Sequence, residues 1–80
     1  MNDYFALLTE SHAEISLTAC EFSSLSQQRE MAAHYASVKQ CVVVICLVNA
    51  DNNGDYPETA IQEIESIMPT PPQPEQQQLF

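Results

Sequence analysis

The sequence predicts an all-α fold: a helical hairpin, a short third helix and a disordered C-terminal tail, assembled as a dimer. Three observations lead there. Apolar residues recur at steps of three and four through three separate stretches. The chain has a single glycine, Gly54, too few for a turn-rich β architecture. At 80 residues, a core of its own contributes only about 3–5 kcal/mol, so self-association is expected to supply the remainder.

The first helix is expected from Asp3 to Phe22. Asn2 suits an N-cap, and Asp3 suits the positive end of the helix dipole. Phe5, Leu8, Ile15, Ala19 and Phe22 fall at helical spacing, with His12 completing the stripe. Ser23 to Ser26 interrupts the pattern. Serine competes for backbone hydrogen bonds, so Ser24 or Ser26 is expected to cap the next helix.

That second helix is expected from Gln27 to Asn49. Met31, Tyr35, Val38, Val42 and Ile45 continue the three–four stepping. The run Cys41–Val48 is rich in β-branched residues and supports an alternative, an α+β fold with one strand at 41–48. No second strand pattern is evident, so that strand would pair across a dimer. Ala50 to Asp55 holds four Asp/Asn and the glycine, and reads as a helix-ending turn. Its acids are in the wrong register for a calcium loop.

The third helix is expected to end at Met68. Asp55 and Glu58 suit a capping pair, with Pro57 in the first turn. Ala60, Ile61, Ile64, Ile67 and Met68 line one face, and Pro69 stops it. The foldable domain is thus 1–68. Residues 69–80 hold four prolines and four glutamines and are expected to be a disordered tail. Extended, they span about 37 Å.

Charge narrows the function. Eleven acids face two basic residues, a net charge of −9, against direct binding of nucleic acid or of an anionic membrane. Nothing at the start resembles a signal peptide, and the longest apolar run is far short of a bilayer span. A cytoplasmic protein is expected. Cys20, Cys41 and Cys46 are then reduced thiols. Cys41 and Cys46 are expected to pack as small hydrophobes, since no spacing with His12 or His34 suits a metal. His12 is expected in a core or interface, and His34 beside Glu30 on one helix face. No enzymatic motif, metal site or cofactor is predicted.

The tail carries the most specific signal. After a polar arm come Leu79 and Phe80, which gain about 1.5–3 kcal/mol each only when seated in a partner's pocket. Gln76-Gln77-Gln78-Leu79-Phe80 resembles the pentapeptide by which polymerases and repair proteins bind the bacterial sliding clamp of DNA polymerase III. The resemblance implies that Gln76 is the polar anchor and that Leu79 and Phe80 are apolar plugs. Gln77 and Gln78 depart from the commoner Leu and Ser/Asp. It also implies a non-enzymatic factor that modulates or inhibits host replication by occupying the clamp. In size and charge the whole chain resembles small acidic proteins of phages and mobile elements, including DNA mimics. That resemblance implies the alternative, inhibition of a host DNA-binding defence protein.

Overall fold

The computed structural model describes residues 2–69. Its architecture is α+β, which corrects the all-α expectation. Four antiparallel strands, β1 (Asn2–Thr9), β2 (Glu14–Ala19), β3 (Val43–Ala50) and β4 (Gln62–Ile67), form one sheet in the order β2-β1-β3-β4. One helix, α1 (Leu25–Lys39), covers one face. The α+β alternative therefore fits, but its dimeric pairing does not: the strand at 43–50 pairs with β1 and β4 of its own chain.

The expected first helix is a β-hairpin. Tyr4 to Leu8 pair with Ala19 to Glu14, and the chain reverses through Glu10 and Ser11. The apolar run Tyr4-Phe5-Ala6-Leu7-Leu8 shows no in–out alternation because both faces of β1 are covered. Ala6, Leu7 and Leu8 are all fully buried. Asn2 is accordingly a strand residue and caps nothing.

The second helix ends at Lys39, ten residues before the expected boundary. Its start matches the expectation for serine. Ser24 Oγ accepts from the Gln27 amide at 3.2 Å, and Gln27 Oε1 accepts from the Ser24 amide at 2.9 Å, a complete capping box. Gln40 closes the helix in the left-handed region, φ 52°, and Nε2 of its side chain donates to the Ser37 carbonyl. Beyond it, Val43, Val44, Ile45 and Cys46 open β3 as four consecutive buried residues. Branching at Cβ suits a strand that is covered on both faces.

The stripe that α1 buries keeps Met31 and Tyr35 of the expected one but is centred on alanines, and Val38 falls outside it. Ala32 and Ala36 are fully buried, whereas Val38 is 67% exposed. Leu25, Met31 and Tyr35 complete the contact with Leu7, Val43 and Ile45. Among the described residues no α-helix covers the opposite face of the sheet. Tyr4, Ala6, Leu8, Leu17, Val44, Cys46 and Val48 cluster there, and the β3–β4 connection folds back over them through Tyr56 and Ile61.

That connection begins with the expected turn, although it ends a strand. Asp51 Oδ1 accepts from the amides of Asn53 and Asp55, and Gly54 takes φ 80°, which favours glycine. A Cβ there would sit 3.5 Å from Leu17, so the turn lies against β2. The expected third helix is absent. Glu58–Ala60 forms a single 3-10 turn with no side-chain cap, and β4 follows. The register slips at Ile64, since Glu63 pairs with Cys46 but Glu65 with Ile45. This bulge moves the following residues to the other face. Ile61 consequently packs on the open-face cluster and Ile67 on the helix-side cluster.

Candidate functional site

Gln76, Leu79 and Phe80, the residues the sequence singles out, lie outside the described residues. Ahead of them in the chain, β4 ends at Ile67, and the two core clusters are built from residues between Tyr4 and Ile67. Met68, expected on a buried helical face, is 69% exposed where the chain leaves β4.

On the open face, two polar contacts tie the hairpin to the β3–β4 connection and β4. Tyr56 donates its hydroxyl to Glu14 Oε1 at 2.9 Å. His12 Nε2 lies 3.1 Å from Glu63 Oε2, and its Nδ1 is 3.9 Å from Glu58 Oε1. A carboxylate only accepts, so the imidazole donates to Glu63. His12 reaches this position because it occupies the left-handed region, φ 68°, in the hairpin turn. Its side chain is 30% exposed and belongs to neither core cluster. His34 likewise stands outside the core and meets the Tyr35 ring edge-on, with centroids 5.7 Å apart.

The cysteines are held as thiols. Cys46 is fully buried beneath the Tyr56 connection, and desolvation, with Glu63 nearby, pushes its pKa up to about 11. Desolvation followed by the charge of Asp3 also raises Cys20. Cys41 packs at the margin of the helix-side cluster. Cys41 and Cys46 thus behave as the small hydrophobes expected. Tyr56 is raised to about 12 by desolvation first, then by its hydrogen bond to Glu14. Among the described residues no group of three or more His, Cys, Asp or Glu is arranged to hold a metal.

Two shallow grooves flank β2. One, of about 460 Å³, runs between β2 and the start of α1 and is lined by Thr18, Phe22, Ser23, Gln27, Glu30 and Met31. The other, of about 270 Å³, lies where β1 begins and β2 ends, among Asn2, Asp3, Tyr4, Ala19, Cys20 and Glu21. Beneath the first groove sits Gln28, which is fully buried. Its Nε2 donates to Ser23 Oγ at 2.9 Å and contacts Met31 Sδ at 3.7 Å, while Oε1 has no donor. Ser23 and Gln28 occupy the two positions that an apolar staple usually fills at a helix start.

Sequence reasoning missed Thr18, Phe22 and Met31 as neighbours, and also the Glu14–Tyr56 and His12–Glu63 contacts. The available signal was Phe22 two residues before the Ser24 cap, an apolar residue placed just ahead of a helix start. The long-range contacts had no local signal, because they follow from strand order. No family model, curated protein or solved structure matches the chain. No helix among the described residues is long and apolar enough to cross a membrane.

Proposed function

We propose that the chain is a non-enzymatic, cytoplasmic binding factor that docks on the bacterial sliding clamp through Gln76, Leu79 and Phe80 and so modulates or inhibits host DNA replication. The observation that carries the reading is the Gln-x-x-Leu-Phe spacing behind a segment rich in proline and glutamine. The fold is compatible with it. The four described strands all precede the hook segment in the chain. The buried Cys46 thiol, raised by desolvation, is also poorly suited to nucleophilic attack.

Titration of purified clamp with the full chain, and with a Leu79→Ala/Phe80→Ala variant, tests this. Two lost plugs predict weakening of on the order of a hundredfold or more. Equal binding by both forms, or binding by neither, refutes it.

A second reading rests on the acids. Ten of the eleven lie within the described residues and nine of those are exposed. Arg29, one of two cations in the chain, is neutralised by Glu65 at 2.9 Å. Such a surface suits a DNA mimic that occupies the groove of a basic host protein. This reading predicts partner binding that survives the Leu79→Ala/Phe80→Ala change and falls steeply with salt. Binding abolished by the tail change and insensitive to salt refutes it.

A further inference from the structure

The turn that opens the β3–β4 connection brings a reactive amide next to the nitrogen that can attack it. The chain has four asparagines, Asn2, Asn49, Asn52 and Asn53, and one glycine, Gly54. Of the four, Asn53 alone precedes the glycine. The side-chain amide of an asparagine is open to attack by the backbone nitrogen of the next residue, and a Cβ on that residue obstructs the approach. Glycine has no Cβ. Asn53 is also exposed, so hydroxide and water reach it. Asn49, by contrast, lies in β3, and its Nδ2 donates to Asp3 Oδ1 at 2.9 Å.

The same turn holds the reaction back. Gly54 donates its N–H to the Asp51 carbonyl at 3.0 Å, so the attacking nitrogen is engaged. Asp51 Oδ1 accepts from the amides of Asn53 at 2.8 Å and Asp55 at 3.0 Å. The Asp55 carbonyl accepts from the Asp51 amide at 2.9 Å. Attack requires this turn to open, and exposed turns open at low cost. Asp51 therefore sets how often Gly54 is free to react. The turn is also coupled to the cover of the open face. Tyr56 follows Asp55 directly and packs on the cluster that holds Cys46, while a Cβ at Gly54 would sit 3.5 Å from Leu17 of β2.

We propose that Asn53 is a site of spontaneous deamidation gated by the Asp51 turn, and that its isoaspartate product loosens the connection over Cys46. Hydroxide removes the Gly54 amide proton, and the nitrogen attacks Asn53 Cγ. The N–Cγ bond forms, the Cγ–Nδ2 bond breaks, and ammonia leaves with a proton taken from water. Water then opens the cyclic imide at one of its two carbonyls. Cleavage of the new N–Cγ bond gives aspartate on the original main chain. Cleavage of the original peptide bond gives isoaspartate, whose main chain is longer by one carbon. Both products add a negative charge beside Asp51 and Asp55. Isoaspartate alone also lengthens a turn that hydrogen bonds close at both ends, and this moves Tyr56 off its seat.

The test incubates the full chain in mildly alkaline buffer and follows position 53 by peptide mapping, which separates asparagine, aspartate and isoaspartate. Amide loss is expected at Asn53 ahead of Asn2, Asn49 and Asn52, and about tenfold slower than in the same chain held in urea. Asp51→Ala removes two exposed hydrogen bonds and should speed the loss about fivefold in the folded protein, with no effect in urea. Labelling of Cys46 in a Cys20→Ser/Cys41→Ala background reads the consequence. The isoaspartate form should label about fivefold faster than fresh protein, as loss of the turn's hydrogen bonds predicts. Asn53→Asp adds the charge without the extra carbon and should stay within about twofold of fresh protein. No amide loss at Asn53 in the folded protein, equal rates with and without urea, no response to Asp51→Ala, or an isoaspartate form that labels no faster than Asn53→Asp would each overturn the proposal.

Discussion

Replacing Tyr56 by alanine should uncover Cys46 without unfolding the helix-side half of the protein. Tyr56 belongs to the connection that covers the open face, and it packs on the cluster containing Ala6, Leu8, Val44, Cys46 and Val48. Truncating a fully buried aromatic costs about 3–5 kcal/mol, and this ring is half-exposed, so about 2 kcal/mol is expected. The loss falls on the opening of the connection, because α1 packs on the other cluster. An energy of about 2 kcal/mol raises the open population about 30-fold. The assay is labelling by a disulfide reagent at pH 8 in a Cys20→Ser/Cys41→Ala background, leaving Cys46 as the single thiol. Its rate in the closed form is suppressed twice. The side chain is fully buried, and a pKa near 11 in place of 9.0 lowers the thiolate fraction about 100-fold. Tyr56→Ala should therefore label about 30-fold faster. Tyr56→Phe keeps the cover and loses only a bond to an exposed carboxylate, so about 0.5 kcal/mol and a two- to threefold change are expected. An unchanged rate in Tyr56→Ala, or equal rates in the Phe and Ala variants, would refute the idea that the phenol ring covers this thiol.

Other expectations concern stability. Cys46 and Tyr56 are acids whose pKa values are raised by folding, so the folded state holds their protons longer and stability is lost as pH rises. Urea midpoints should be level below about pH 9 and fall between about 9 and 12, and Cys46→Ala should remove the lower part of that fall; a midpoint independent of pH to 11 contradicts the assignment. Gln28→Met exchanges one hydrogen bond and one buried acceptor without a donor for an apolar chain of similar length, and should stabilise by about 1 kcal/mol in urea unfolding; a loss of stability would mean that Oε1 is satisfied in solution. Ser24→Ala removes half of the capping box and should cost about 1 kcal/mol by the same measurement; no change would deny the cap a role.

How far the sequence could be read differs from element to element, for physical reasons. The serine cap and the Asp51–Asp55 turn are local interactions, made within a few residues, and both were legible. The strand tendency of 41–48 was legible only as the alternative to a longer helix, because a β-branched run suits a buried helix or a doubly covered strand alike. The hairpin was not. Phe5, Leu8, Ile15, Ala19 and Phe22 keep a helical spacing, but two buried faces erase the alternation in β1, and the bulge at Ile15 shifts the remainder of β2. β4 misled in the same way, since its bulge carries Ile61 and Ile67 to opposite faces. In α1 the buried stripe is Ala32 and Ala36, whose small side chains give a weak signal beside the exposed Val38. The hook at Gln76, Leu79 and Phe80 is legible as a motif and lies outside the described residues.

β1 occupies the interior of the sheet, although it comes first among the strands. Its partner β3 lies some forty residues later, with Asn2 opposite Ala50 and Thr9 opposite Val43. During synthesis β1 can pair early only with β2. Its other edge, and the apolar side chains on both of its faces, must wait until α1 has left the ribosome and β3 has followed. Folding is thus governed by a late, non-local closure, which slows it relative to a helical hairpin of equal length. Until that closure, Leu7 and Leu8 remain available to other chains, so the rate of β3 docking sets how much newly made protein escapes aggregation.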